Sequence, residues 1–257
     1  MPNFQEQQPV ATKKEVFRLP VSQWRVYLPF MDRDVSSMLT RKGASLVPGM
    51  QQANIVVFTG GADVCPILYG EMPIPGTNYN LQRDREEIKV FKSVHPDVPK
   101  VGICRGAQFL NIMCGGKLWQ DVDNHAMRGT HPVYDSLCGI ADLTVTSTHH
   151  QMMVPNNHLG YEFLSARCST TKKREGLTEH SESAPLEEYY EDCEGVYYDN
   201  FNSLCFQPHP EYGHKPTEDY FWSACEMLLD WRHEENKRSI RDADKSMRAK
   251  LKEVAVG

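Results

Sequence analysis

Val101-Gly102-Ile103-Cys104-Arg105-Gly106-Ala107-Gln108-Phe109-Leu110-Asn111-Ile112-Met113-Cys114-Gly115-Gly116 passes from a short apolar run into an amphipathic one, with a cysteine at the junction. Val98 to Ile103 reads as a buried strand. Gly106 to Cys114 reads as a helix with Phe109, Leu110 and Met113 on one face, closed by Gly115-Gly116. A cysteine between the two, with glycine two residues away on each side, has the form of a nucleophile elbow. The glycines are needed because so sharp a turn crowds the backbone on both sides of the nucleophile. At a helix N-terminus the free N–H groups and the helix dipole favour the thiolate, which is the attacking species. An arbitrary cysteine is more often a small buried hydrophobe, and what reverses that expectation is the elbow spacing together with the partners described below.

Outward from this centre, Asn54 to Phe58 is a β-branched apolar run that stops at Thr59-Gly60-Gly61, as a buried strand entering a tight loop would. A helix is expected from about Arg83 to Ser93, with Ile88 and Phe91 on one side. Trp24 to Leu28 reads as a first strand, and Asp32 to Leu39 as a helix ending at Arg41-Lys42-Gly43. The alternation of strand and helix predicts an α/β fold whose sheet is mostly parallel and covered on both faces. Later, Leu143 to Ser147 alternates like an exposed strand and leads into Thr148-His149-His150-Gln151. Gly195 to Phe206 has β character before Gln207-Pro208-His209-Pro210-Glu211, and Thr217 to about Lys250 closes the chain as one or two helices. Residues 1–20 read as a flexible arm. Residues 21–257 read as a single domain with an acidic, aliphatic-poor insertion at about 172–195 and a C-terminal helical segment.

Composition narrows the function classes. With 257 residues, 40 % hydrophobic and 24 % charged, the chain is expected to fold around a sizeable core. A net charge of -6 argues against a nucleic-acid partner, and the basic residues of the last stretch are interleaved with acids as on a solvated helix. No window approaches a membrane span and the opening residues lack an apolar leader, so a cytoplasmic location is expected. The eight cysteines are dispersed without CxxC pairs, which fits a reducing compartment.

A cysteine nucleophile needs a base that returns a proton to the leaving amine, and the base needs an orienting acceptor. His209 and Glu211 follow the expected strand Leu204-Cys205-Phe206. If the strand stays extended, the two side chains share one side. An oxyanion requires N–H donors, which the Arg105 backbone and the Thr59-Gly60-Gly61 loop can supply; at Gly60 and Gly61 the missing side chains let the backbone approach a substrate. His125, His131, His149, His150, His209 and His214 are available to a metal, but no Cys/His cluster has structural-zinc spacing. A cysteine elbow needs neither metal nor organic cofactor, and none is expected.

These residues resemble a family: class I glutamine amidotransferase-like proteins, in the branch of gamma-glutamyl-gamma-aminobutyrate hydrolases and gamma-glutamyl peptidases (peptidase C26). The resemblance rests on TGGADVCPILYGE (59–71), RDREE (83–87), VGICRGAQFLNIMCGGKLWQDV (101–122), STHHQ (147–151) and QPHPEY (207–212), in the family's order. It implies a flavodoxin-like three-layer domain. It also implies Cys104 as nucleophile, His209 as base, Glu211 as its orienting acid, Gly61 and Arg105 at the oxyanion hole, and Gln108 with His149 and His150 around a bound gamma-glutamyl group. Pro208 stands where the family usually has Trp, and the acidic segment replaces a more compact stretch, so the wall facing the amine is expected to differ. That segment, if it flanks the pocket, would favour a cationic amine. The FQPHPEY form also resembles bacteriophage-encoded versions, which would act in the host cytoplasm.

The expected function is therefore cysteine-dependent hydrolysis of a small gamma-glutamyl amide or glutamine through a thioester, by a free-standing enzyme. One alternative is a glutaminase subunit that passes ammonia to a separate synthetase chain; another is a non-catalytic binding or regulatory protein on the same fold, against which the intact Cys104, His209 and Glu211 set argues. The sequence leaves the identity of the amine and a homo-oligomeric state open.

Overall fold

The computed structural model describes residues 17–126, 129–166, 174–175, 192–235, 237 and 239. Most of the acidic 172–195 segment and the last helical residues expected toward Lys250 lie outside the described residues. Of the expected arm only residues 17–20 are described, and they are docked. Leu19 is buried, its carbonyl accepts from Trp24 Nε1 at 2.9 Å, and the Phe17 carbonyl accepts from Trp231 N–H.

The first half alternates strand and helix as expected, apart from a short strand β2 that the sequence did not signal: β1 (Arg25–Tyr27), α1 (Arg33–Arg41), β2 (Ser45–Leu46), β3 (Ile55–Phe58), α2 (Leu81–Ser93), β4 (Lys100–Ile103) and α3 (Arg105–Met113). Asp32 caps α1 by accepting from the Asp34 and Val35 N–H groups, and Asn80 caps α2 through the Arg83 N–H. The end of α3 is a Schellman turn: Gly116 N–H bonds the Asn111 carbonyl, Gly115 N–H bonds that of Ile112, and Gly115 takes φ +91°. The second half is strand-rich, with β5 (Lys117–Trp119), β6 (Asp121–Val122), β7 (Gly129–Asp135), β8 (Thr144–Ser147), β9 (Met152–Val154), β10 (Tyr161–Ala166), β11 (Arg174–Glu175), β12 (Asp192–Tyr198) and β13 (Ser203–Phe206), before α4 (Lys215–Leu228).

Five strands, in the order β2-β1-β3-β4-β13, are parallel and form the central sheet. Beyond β13 the sheet continues antiparallel through β12, β10, β7 and β8, while β9 pairs with β12 and with β5. The single β segment expected over Gly195–Phe206 is a hairpin. Residues 199–201 form a 3-10 turn and Asn202 takes φ +45°, which reverses the chain between β12 and β13.

Side chains of the central strands alternate between two cores, as the strand period requires. Val57, Val101, Ile103, Leu204 and Phe206 pack with Val35, Met38 and Leu39 of α1 and with Tyr220 and Phe221 of α4. Val56, Phe58 and Cys205 pack with Ala107, Phe109 and Leu110 of α3. Helices thus cover both faces of a parallel core, giving the flavodoxin-like three-layer α/β arrangement.

Candidate active site

The turns after β3, β4 and β13 meet at one edge, because the strands are parallel neighbours and their carboxyl ends point the same way. Ligands in open α/β sheets bind at such ends. Register brings the key groups together: Ile103 pairs with Phe206, so Cys104 stands one residue past its strand and His209 three past the adjacent one.

Cys104 adopts φ 51°, ψ -111°, a strained left-handed conformation for a non-glycine residue, and is held there by its N–H to the Phe206 carbonyl at 2.9 Å and by the start of α3. The flanking glycines are dictated by contact. A Cβ on Gly102 would lie 2.3 Å from the Gly106 carbonyl oxygen, and one on Gly106 would lie 2.1 Å from that of Phe58. Cys104 is 8 % exposed and lines a cleft of about 810 Å³ with Gly61, Ala126, Thr130, Thr148, His209 and Tyr212.

His209 Nδ1 lies 2.6 Å from Glu211 Oε1, which leaves the Nε2 side of the ring for another partner. The contact arises differently from the extended strand expected. β13 ends at Phe206, and residues 210–212 form a 3-10 turn because Pro210 has no N–H with which to continue a ladder. Thr146 of β8 fixes the His209 backbone from the other side, accepting its N–H at 2.7 Å and donating to its carbonyl at 3.2 Å. The Tyr212 ring stacks on the imidazole at 4.2 Å and 3°. Burial alone would lower the His209 pKa, but the Cys104 sulfur and the Glu211 carboxylate outweigh it and push the value up to about 10.

Gly60 lies against both groups: a Cβ there would come 3.1 Å from His209 Cε1 and 3.9 Å from Cys104 Cβ. Arg83 of α2 clamps this loop, donating to the Thr59 carbonyl at 2.8 Å and to the Gly60 carbonyl at 2.9 Å. In a trans peptide the N–H points opposite to the preceding carbonyl. Holding the Gly60 carbonyl on Arg83 therefore turns the Gly61 N–H to the opposite side. Gly61 has φ +142°, and any Cβ would strike Arg83 at 2.3 Å. The Arg105 N–H belongs to the first turn of α3, whose leading donors have no partner within the helix.

The Arg105 side chain points away from the cleft into a buried ion-pair set with Asp84 and Glu87 of α2, and Glu87 also accepts from Arg83 Nε at 3.1 Å. This arrangement, the Arg83 clamp, and the positions of Thr146 and Tyr212 were not legible in sequence. The available signal was Asp84 and Glu87, three apart on a helix read only by Ile88 and Phe91.

The remaining expected binding residues stand apart from the cleft lining. The Gln108 amide donates to the Gln151 carbonyl and to Gln207 Oε1, both at 3.1 Å. His149 is buried, with Nδ1 2.9 Å from the Gln151 carbonyl. His150 contacts Asp63 at 2.9 Å and Asp121 at 3.4 Å, and its hydrogen bond to Asp63 chiefly raises its pKa. Thr148, next to His149, is the member of that segment on the cleft wall. Among the described residues two groups are spaced to hold a metal: His95, Asp97 and His233 at the surface, and His125, His149 and Glu194, buried behind this wall. No described helix is long and apolar enough to cross a membrane.

Comparison with known proteins agrees with this fold. A glutamine amidotransferase-like protein of Lactococcus lactis, provisionally named YvdE, is 43 % identical over 79 residues, covering 30 % of this chain and 33 % of its own. A provisionally named glutamine amidotransferase of Mycobacterium tuberculosis is 37 % identical over 73 residues, covering 28 % and 24 %. The aligned stretches thus span a third or less of these relatives. Among solved structures, a protein of Thermoplasma acidophilum, provisionally named as one subunit of a GMP synthase, superposes with a TM-score of 0.55 at 17 % identity, covering 85 % of this chain and 98 % of its own. A glutamine amidotransferase of Thermotoga maritima gives 0.52 at 14 %, covering 84 % and 86 %. At those identities the likeness is one of fold. The peptidase C26 family profile matches residues 38–170, just over half of the chain and the whole of the elbow, and the protein belongs to this class I glutamine amidotransferase-like family.

Proposed function

We propose that the protein is a cysteine-dependent amidase that hydrolyses a gamma-glutamyl amide, acting alone. The observation that carries this reading is the meeting of Cys104, on a strained elbow, with a His209 whose raised pKa and 2.6 Å contact with Glu211 keep it protonated and oriented at neutral pH. In the first half-reaction the Cys104 sulfur attacks the side-chain carbonyl carbon, forming the C–S bond and placing charge on the carbonyl oxygen. The Gly61 and Arg105 N–H groups receive that charge. His209 gives its proton to the leaving amine as the C–N bond breaks, so the acyl group remains as a thioester. In the second half-reaction His209, now neutral, takes a proton from water, whose oxygen attacks the thioester; the C–S bond breaks and releases the acid.

A second reading, a glutaminase subunit feeding ammonia to a separate synthetase chain, draws support from the synthase component found among the fold neighbours. Steady-state assays of the purified protein on glutamine, gamma-glutamyl amines and gamma-glutamyl peptides separate the two. Turnover of at least one gamma-glutamyl amide by the protein alone is expected. Inactivity on all of them until a second protein is added would overturn the free-standing reading.

A further inference from the structure

Behind the cleft wall, His125, His131 and His149 meet Glu194 of β12, distant in sequence, in one buried cluster. His125 Nδ1 lies 3.2 Å, His131 Nε2 3.3 Å and His149 Nε2 3.4 Å from the same oxygen, Glu194 Oε1. The donor atoms of His125, His149 and Glu194 all fall within 4.8 Å of one another.

His149 Nδ1 stands 2.9 Å from the Gln151 carbonyl, which can only accept, so Nδ1 carries the hydrogen and the Nε2 of a neutral ring presents a lone pair to Glu194. His125 Nε2 faces Asp192 Oδ2 at 3.1 Å; by the same reasoning its Nδ1 lone pair also faces Glu194. With both rings neutral, two lone pairs would confront a carboxylate oxygen inside the protein, so the cluster is satisfied only by added positive charge, as protons on the rings or as a cation. Neither nitrogen, nor either oxygen of Glu194, has a hydrogen-bond partner of acceptable geometry. Bare lone pairs facing a buried anion repel, so the cluster calls for positive charge at its centre.

We propose that His125, His149 and Glu194 bind a zinc-class divalent cation. A tetrahedral cation about 2.0–2.1 Å from each ligand sets ligand-to-ligand separations of about 3.3 Å, and the two nitrogen-to-oxygen distances among these ligands are 3.2 and 3.4 Å. The outer partners have the form that metal-bound histidines use: a carboxylate, Asp192, behind His125 and a backbone carbonyl, Gln151, behind His149. Imidazole and carboxylate together suit zinc better than magnesium or calcium. The role is structural. The ligands are buried, and Ala126 and Thr148, each one residue from a ligand, line the cleft, so the cation ties its far wall to β12.

The full-length protein, produced in zinc-supplemented medium and desalted, should carry about one zinc per chain by elemental analysis. Because the site is buried, metal should enter during folding: refolding from denaturant with zinc should raise the melting temperature by several degrees over refolding with a chelator, and cobalt in place of zinc should show the visible bands of a four-coordinate ion. Glu194→Gln should lose bound zinc. Asp192→Asn, which keeps every ligand and guards against a folding failure, should weaken affinity about 10- to 100-fold. His150→Ala, next to a ligand but outside the set, should retain the metal. A folded wild-type protein that remains metal-free, with a melting temperature indifferent to zinc and chelator, would overturn the proposal and leave a purely protonated network; so would zinc lost in His150→Ala and kept in Glu194→Gln.

Discussion

Replacing Arg105 by methionine tests whether the ion-pair set under the elbow holds the site together. The guanidinium is buried and contacts Asp84 and Glu87, whose side chains have no exposure, so the substitution strands two carboxylates where water cannot reach them. Removing one partner of a buried pair costs about 3–5 kcal/mol. Two partners are affected here, but the cost should not double: Glu87 keeps Arg83 at 3.1 Å, and Asp84 still accepts from the Cys65 N–H at 3.1 Å. For a chain of this size about 3–5 kcal/mol corresponds to a fall in melting temperature of about 6–20 °C. Burial already raises the Asp84 carboxyl pKa, and removing the guanidinium raises it further. A carboxyl whose folded pKa lies above its unfolded one destabilises above the unfolded value and is relieved below it, so the deficit should shrink as the pH falls toward the ordinary carboxylate range. The triple variant Asp84→Asn/Glu87→Gln/Arg105→Met, which buries neutral groups of similar shape, should recover much of the loss. The measurements are thermal and urea unfolding of the purified variants. An Arg105→Met protein that melts within about 2 °C of the parent at neutral pH would refute the assignment of Arg105 as the anchor of this layer.

Cys104→Ala and His209→Ala should each lower kcat by more than about a thousandfold, and the double variant should be little worse than either, because the pair acts as a unit; losses that multiply would mean independent action. Glu211→Gln should leave at least about tenfold more activity than His209→Ala, since it orients rather than reacts. Brief iodoacetamide treatment with peptide mapping should label Cys104 first among the eight cysteines: burial pushes Cys114 up to about 12 and holds Cys193 and Cys205 well above the usual thiol range. Preferential labelling of Cys114 would count against the mechanism. The alkaline limb of kcat/KM against pH should fall near His209's value of about 10, because above it the proton for the leaving amine is gone. Removing the Glu211 charge should move that limb to lower pH, and an unmoved limb would show that another group sets it.

How much of this was legible in sequence depended on whether the cause was local. The elbow could be read because its glycines answer to contacts within a few residues and one neighbouring strand: Gly102 against the Gly106 carbonyl, Gly106 against that of Phe58. The central parallel strands β3, β4 and β13 could be read because burial on both faces gives them short apolar runs, whereas the two-residue edge strand β2 gave no such signal. His209 and Glu211 were found by a rule that does not operate here, since Pro210 ends the strand and a 3-10 turn makes the contact instead. The antiparallel half was harder, as strands of two or three residues such as β6 and β9 carry too few positions to show a period. Asp84 and Glu87 were hidden because acids on a helix ordinarily mark its wet face, and only a basic partner more than fifteen residues away makes them interior.

The same logic locates the rigidity of the site. Its reacting groups sit on turns, and turns are held by whatever lies behind them. On one side Arg83 and Arg105 pin the Thr59–Gly61 loop and the elbow to α2 through Asp84 and Glu87. On the other, Thr146 fixes the His209 backbone, while the Ser147 hydroxyl and the His149 N–H both bond the His125 carbonyl, so the wall bearing Ala126 and Thr148 is tied to the buried histidines. Both supports are polar and enclosed, which makes each satisfied contact strong and each missing one costly. Disturbing the first should displace the nucleophile and its oxyanion donors together, whereas disturbing the second should leave Cys104 in place and loosen the wall opposite. Hydrogen exchange in Arg105→Met and Glu194→Gln distinguishes these outcomes: faster exchange at Gly61 and Ala107 in the first variant, and at Ala126 and Thr148 in the second. Identical patterns in the two would mean that the halves of the cleft unfold as one unit.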